Sequence, residues 1–358
     1  MSPVQRNDGN VQHALDVLVK GHLAVGAGEV ALVTADEATD RDLVDRLLAC
    51  IQAAGAQPVL VRIPRLPLQG LLADPYIPQD AAATFGACDV WIDLTFPYLA
   101  SSTPFSRAME NGRTRYLLLG DVTAEGVGRL YGGADFDALF DLQEEADRLL
   151  RDAQGQACRI TTPAGTDIEF RIGKPATRKT RKALAPGAQT VPGSAIFYPE
   201  MESVRGRIAL EAAFHDYYER FPEPIAIEVD GRIRHVGPGH HRDLLERALR
   251  RAGGGEFGHV IHLTIGLNPA ALDTGRSFIE DIRAVGRNAV GLGLPWWLPG
   301  GGENHPDGVL KSQSLWIAGE PVLAGGRPTA GHPLEKLLAA VEATTTGASL
   351  QTQGKQPA

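Results

Sequence analysis

Across the first 150 residues, four short apolar runs alternate with helical patterns, and this alternation constrains the fold more than any other feature. Val30–Thr34 (VALVT), Pro58–Ile63 (PVLVRI), Asp89–Leu94 (DVWIDL) and Arg115–Leu119 (RYLLL) are too apolar to face water on either side. Between them, Val11, Leu15, Leu18 and Val19 mark one helical face within Val11–Leu23. Asp40 stands as an N-cap before RDLVDRLLACIQAAG, and Gly55 ends that helix. Further helices are predicted around Phe105–Asn111 and over Phe136–Asp152. Strands and helices in strict alternation build a parallel, doubly wound sheet with helices on both faces.

After about residue 155 the pattern becomes one of hairpins. Arg159–Thr162 and Ile168–Ile172 flank Pro163-Ala164-Gly165, and the TDIE stretch at 166–169 reads as a strand start. Ile225–Val229 and Arg232–Val236 flank Asp230-Gly231, a tight-turn signal. Ser314–Ile317 and Pro321–Leu323 are joined across Gly319. Helices are predicted at His241–Arg251, Gly275–Ala284 and Pro333–Ala343. The expected organisation is a doubly wound α/β domain over residues 1–153, an α+β domain over 154–343 and a disordered tail over 344–358, rich in Thr, Gln and Gly.

Hydrophobic residues make up 43% of the 358, enough for a real core, and the formal net charge of -8 argues against a grip on nucleic acid or an anionic membrane. Cys50, Cys88 and Cys158 are too few for a disulfide framework and fit a reducing compartment. No apolar run reaches transmembrane length, and Met1–Val11 lacks a signal-peptide core, so a soluble cytoplasmic protein is expected. No GxGxxG, phosphate-binding loop or GxSxG occurs.

Eight of the ten histidines fall between His215 and the C-terminus. His305 and Asp307, in GGGENHPDGV, form an i,i+2 pair that an extended chain directs to one side. The glycines before them let the backbone bend close to a site. His262, in the β-like stretch GHVIHLTIGLNP, is the best third ligand. Two histidines and one carboxylate make the facial set of non-haem Fe(II) oxygenases. The alternative is a polar turn carrying His305 and Asp307, with His262 a satisfied core residue.

Several segments, in this order and spacing, resemble the leucyl-aminopeptidase-like metalloprotein family, and within it the branch of 2,5-dihydroxypyridine 5,6-dioxygenase. They are GEVALVTADEATD (28–40), TTPAGTDIEF (161–170), PEMESVRGRI (199–208), HLTIGLNP (262–269), NHPDGV (304–309) and WIAGEPVLAGGR (316–327). The resemblance implies an α/β domain followed by an α+β metal-binding domain. It also implies Fe(II) on His262, His305 and Asp307, with O2 and a small hydroxylated aromatic as reactants and a homo-oligomeric assembly. The aminopeptidase branch usually has Glu where His262 stands and a further His in the strand before the Gly-rich loop. Asn288–Pro295 (NAVGLGLP) has none. A metallo-aminopeptidase, or a silent small-molecule-binding relative, is the alternative.

By the same resemblance Glu202 matches a pocket glutamate and His215 a histidine beside the metal sphere, both suited to acid–base work. Their plain readings are a surface strand residue and part of a helix over HDYYER. The dioxygenase branch places an N-terminal-domain histidine in the pocket, but TFPYLASSTPF carries Ser101 and Ser102 there instead. Ser101 is expected to be a substrate contact, but a hydroxyl cannot substitute for imidazole in proton transfer near neutral pH. Trp296 and Trp297 offer stacking surfaces for a flat ring, or packing. Tyr217 and Tyr218 are similarly open. The cluster Arg178–Lys182 reads as solvated surface or an attractor for a carboxylate, and His240-His241 as a helix cap.

Overall fold

The structure, a computed structural model of the chain, describes residues 3–174, 180–295, 298, 301 and 305–345. In chain order the first elements are α1 (Pro3–Asp16), β1 (Val30–Ala35), α2 (Arg41–Ala53), β2 (Gln57–Arg62), α3 (Gln79–Phe85), β3 (Val90–Asp93), α4 (Thr103–Glu110), β4 (Arg115–Leu118), α5 (Ala124–Gly132) and α6 (Phe136–Asp152). Then come β5 (Ala157–Thr161), β6 (Asp167–Arg171), β7 (Gly187–Thr190), β8 (Ser194–Phe197), β9 (Arg205–Phe214), β10 (Tyr218–Asp230), β11 (Arg232–Val236) and α7 (Arg242–Ala252). The last are β12 (His259–Gly266), α8 (Phe278–Asp281), β13 (Arg287–Gly293), β14 (Asp307–Lys311), β15 (Ser314–Ile317), β16 (Glu320–Ala324), β17 (Arg327–Pro328) and α9 (Pro333–Thr344).

These elements form two compact units, one built on residues 3–137 with 180–192, the other on 138–174 with 193–344. The predicted single crossing near 153–158 is thus replaced by an excursion and a return. Residues 187–190 come back to the first unit as β7. Its sequence, GAQT, has too little apolar content to announce a strand.

The first unit is the expected all-parallel sheet, in the order β2-β1-β3-β4-β7. Leu32, Trp91, Ile92 and Leu117 are fully buried in it. Asp40 caps α2 as predicted, its side chain accepting from the Asp42 amide. Beyond the C-terminal end of β3 the chain is tied down by Asp93, which is itself fully buried. Its carboxylate accepts from Thr34 Oγ1, Thr95 N, Thr95 Oγ1, Leu99 N and Tyr116 Oη. Burial pushes this carboxyl up from its ordinary value, and the surrounding donors pull it back.

The second unit carries a largely antiparallel sheet in the order β17-β16-β15-β5-β6-β9-β14-β13-β12-β8, with β10 paired to β9 and β11 to β10. The three predicted hairpins are present in it. Two expectations change. The HDYYER segment is not a helix: β9 and β10 form one long hairpin whose turn contains His215–Tyr217. The helix predicted over 275–284 shrinks to α8, because Asp281 accepts from the amides of Thr274 and Gly275 and folds the preceding chain back. No described helix is long and apolar enough to cross a membrane. The three cysteines are free and buried.

Candidate metal centre

β12, β13 and β14 lie side by side, and their registers create the site. His262 of β12 stands opposite Gly291 of β13, and Gly291 stands opposite Asp307, the first residue of β14. Directly opposed residues of an antiparallel pair share a face, so His262 and Asp307 point the same way across a residue with no side chain. A bulge makes this possible. Val260 pairs with Leu292, but the next pair is His262 with Gly291, which leaves Ile261 as an extra residue. In unbroken register Ile261 would oppose Gly291 and His262 would turn to the other face.

His305 joins from the bend before β14. The Pro306 carbonyl accepts from Leu292 N at 2.9 Å and continues the ladder one residue past the strand. His262 Nε2 lies 3.3 Å from His305 Nε2 and 3.3 Å from Asp307 Oδ1, and His305 Nε2 lies 3.7 Å from Asp307 Oδ2. All three residues are buried, at 8%, 2% and 4% exposure. Burial, and then the neighbouring His305, hold His262 well below the usual imidazole value, so the ring is neutral and its lone pair available.

These residues fit a metal ion. One donor atom from each of the three lies within 4.8 Å of the other two. Donors about 2.1 Å from one ion stand roughly 3.0–3.4 Å apart at octahedral or tetrahedral angles, near the spacings found. Two imidazole nitrogens and a carboxylate without a cation would be a poor use of a buried site. Among the described residues no other group of three or more His, Cys, Asp and Glu side chains meets this spacing.

The other sequence-predicted residues lie elsewhere. Glu202 sits on the one-turn 3-10 helix Met201–Ser203 with its side chain 74% exposed, and its Oε1 is 3.8 Å from His259 Nδ1. His259 opposes Gly293, so it shares a sheet face with His262, two rungs away. His215 is buried and follows Phe214, which pairs with Asp307. Its Nδ1 accepts from the Asp216 amide, which leaves the proton on Nε2 to donate to Glu219 Oε1 at 2.9 Å. The same Glu219 oxygen lies 3.2 Å from His241 Nδ1. His241 does occupy the N-cap position of α7, but its side chain makes no cap bond. Tyr217 lays its ring edge against His215, and Tyr218 donates to Asp281 at 2.8 Å.

In the first unit, Ser101 takes a left-handed conformation, φ 61°, uncommon for a residue with a side chain. Ser102 is the N-cap of α4. Trp296, Trp297, Arg178 and Lys179 lie outside the described residues. Arg181, from the same basic cluster, pairs with Asp137 at 3.5 Å. Sequence reasoning missed Glu219, Gly291 and the bulge at Ile261. A glycine inside an apolar strand was the one signal on offer for Gly291.

Comparison with known proteins agrees with this picture. In a search of solved structures, the 2,5-dihydroxypyridine dioxygenase from Pseudomonas putida aligns with a TM-score of 0.70 at 19% identity, over 92% of this chain and 99% of its own. Wild-type AmpT from Thermus thermophilus aligns with a TM-score of 0.63 at 14% identity, over 90% of this chain and all of its own. At these identities the likeness concerns the fold. No curated protein sequence matches the chain. A family model for 2,5-dihydroxypyridine 5,6-dioxygenase matches residues 18–289, a span that includes His262 and ends before Gly291, His305 and Asp307. With a match over that much of its length, the chain belongs to the 2,5-dihydroxypyridine 5,6-dioxygenase family.

Proposed function

We propose that this ring-cleaving dioxygenase acts on a dihydroxypyridine or a closely related hydroxylated ring, with Fe(II) held by His262, His305 and Asp307. The observation that carries the proposal is the convergence of two imidazole nitrogens and one carboxylate in a buried site. That donor set suits Fe(II) and leaves positions open opposite it. Bound there, Fe(II) supplies the electron exchange that lets O2 react with a closed-shell aromatic ring.

The chain's own residues do the rest. Asp307 would offset part of the ion's charge, and the imidazole nitrogens of His262 and His305 would complete the donor set without adding charge. Their burial keeps bulk water from the donor atoms. His215 donates an Nε2–H hydrogen bond to Glu219, and the same Glu219 oxygen lies 3.2 Å from His241 Nδ1, so Glu219 links two imidazoles suited to acid–base work. Glu202, beside His259, is the second group suited to proton handling.

The test is anaerobic loading with Fe(II), followed by oxygen-electrode measurements with 2,5-dihydroxypyridine and, as a comparison, catechol. About one iron per chain and O2 uptake with the pyridine are expected. Iron-loaded protein that takes up no O2 with either ring, or that releases amino acids from leucyl peptides instead, would overturn the proposal.

A further inference from the structure

We propose that Gly291 is a positioning residue of the metal centre, and that its missing side chain is the space through which His262 reaches Asp307. The inference rests on the reading that His262, His305 and Asp307 hold a metal. Neighbouring strands stand about 4.8 Å apart, so ligands on β12 and β14 start roughly 10 Å apart at their backbones. Gly291 lies midway between them, opposite both. A side chain there would share their face and project between them.

The contact distances are decisive. A Cβ on Gly291 would lie 2.3 Å from His262 Nε2, 2.5 Å from Cδ2 and 2.9 Å from Cε1. All three are below the 3.0 Å that real Cβ atoms keep. The imidazole therefore lies across the glycine, and the atom nearest the missing side chain is the proposed donor. The ring has little room to withdraw: the His305 ring stands 5.3 Å away and the Tyr198 ring 6.4 Å away, centroid to centroid.

Backbone conformation does not require glycine here. Gly291 lies inside β13 and does not take the left-handed conformation found at Gly293, φ 124°. Nor would its Cβ run first into backbone, as it would at Gly258 or Gly266. A strand-interior glycine that is neither bulged nor left-handed marks a close approach, and what approaches is a metal ligand.

The experiment measures Co(II) affinity of the full chain by chelator competition, with Co(II) absorption reporting the ligand set. Gly291→Ala is expected to weaken binding by about 10- to 100-fold and to change the absorption. Circular dichroism of the metal-free chain should stay as in the wild type. In a His262→Ala background, adding Gly291→Ala should weaken binding no further, because the clashing ring is gone. Equal affinity in wild type and Gly291→Ala would overturn the proposal, as would the same loss with and without His262. If Gly291→Ala alone does not fold, the double variant should. Failure of both would overturn the proposal by making glycine a backbone requirement. A wild-type chain that binds no Co(II) would instead remove the metal reading, and this proposal with it.

Discussion

Asp93→Asn is expected to destabilise the first unit by about 2–4 kcal/mol while leaving the second intact. In the native chain Oδ1 accepts from Thr34 Oγ1 at 2.8 Å, Thr95 N at 3.0 Å and Thr95 Oγ1 at 2.6 Å. Oδ2 accepts from Leu99 N at 2.8 Å and Tyr116 Oη at 2.7 Å. An asparagine keeps one acceptor and turns the other towards its partners as an amide NH2. The hydroxyls of Thr34, Thr95 and Tyr116 can rotate and accept, but the backbone amides cannot. In one orientation Leu99 N loses its acceptor, and in the flipped orientation Thr95 N loses its own. A buried backbone donor without an acceptor costs about 1–3 kcal/mol, and the surviving bonds lose their charge assistance. Relief of the buried charge offsets part of this. The assay is chemical denaturation combined with amide hydrogen exchange over residues 90–102, where protection should fall by roughly 30- to 800-fold at these energies. A change in stability below about 1 kcal/mol, with unchanged exchange at Leu99 and Thr95, would refute the reasoning.

Further predictions concern the centre. His305→Ala and Asp307→Ala should each weaken metal binding at least about 100-fold, seen as loss of iron by elemental analysis after gel filtration; full iron content in either would remove that residue from the ligand set. His262→Glu should fold and abolish O2 uptake, because a second carboxylate changes both the charge and the electron balance of the site; uptake at the wild-type rate would show that His262 is not a ligand. Glu202→Gln should lower turnover per bound iron by roughly 10²-fold and alter its pH profile, with iron content unchanged. An unaltered profile would assign Glu202 to the surface and shift attention to the His215–Glu219 pair.

What the sequence displayed was local. VALVT, DVWIDL and RYLLL are apolar on both sides, and each became a central strand of the parallel sheet. Phe136–Asp152 became α6 within the predicted bounds because its apolar positions recur at helical spacing without interruption. HDYYER misled for the opposite reason. Its charged residues read as a solvated helix face, but Tyr favours strands, and the adjoining RGRIALEAAF and YERFPEPIAIEVD pair over a long hairpin. GAQT was silent because an edge strand of a parallel sheet needs little apolar surface. Asp281 holds residues 274 and 275 out of the helix through bonds that no periodicity reveals.

The site was legible to the extent that ligand chemistry is written in residue type. His305 and Asp307 advertise themselves by spacing, and His262 by being a histidine in an otherwise apolar strand. What turns them into a centre is register, and register is a property of pairs of strands. Forty-three residues separate His262 from His305, so no local segment contains the site. One extra residue at Ile261 decides which face His262 occupies, and one absent side chain at Gly291 decides whether its ring can cross β13. Both are small, and neither looks like chemistry in a one-dimensional reading. The three proposed ligands therefore sit on or beside neighbouring strands of one hydrogen-bonded ladder. The geometry of these three donor groups is set by the sheet itself, the preorganisation that the proposed metal centre requires.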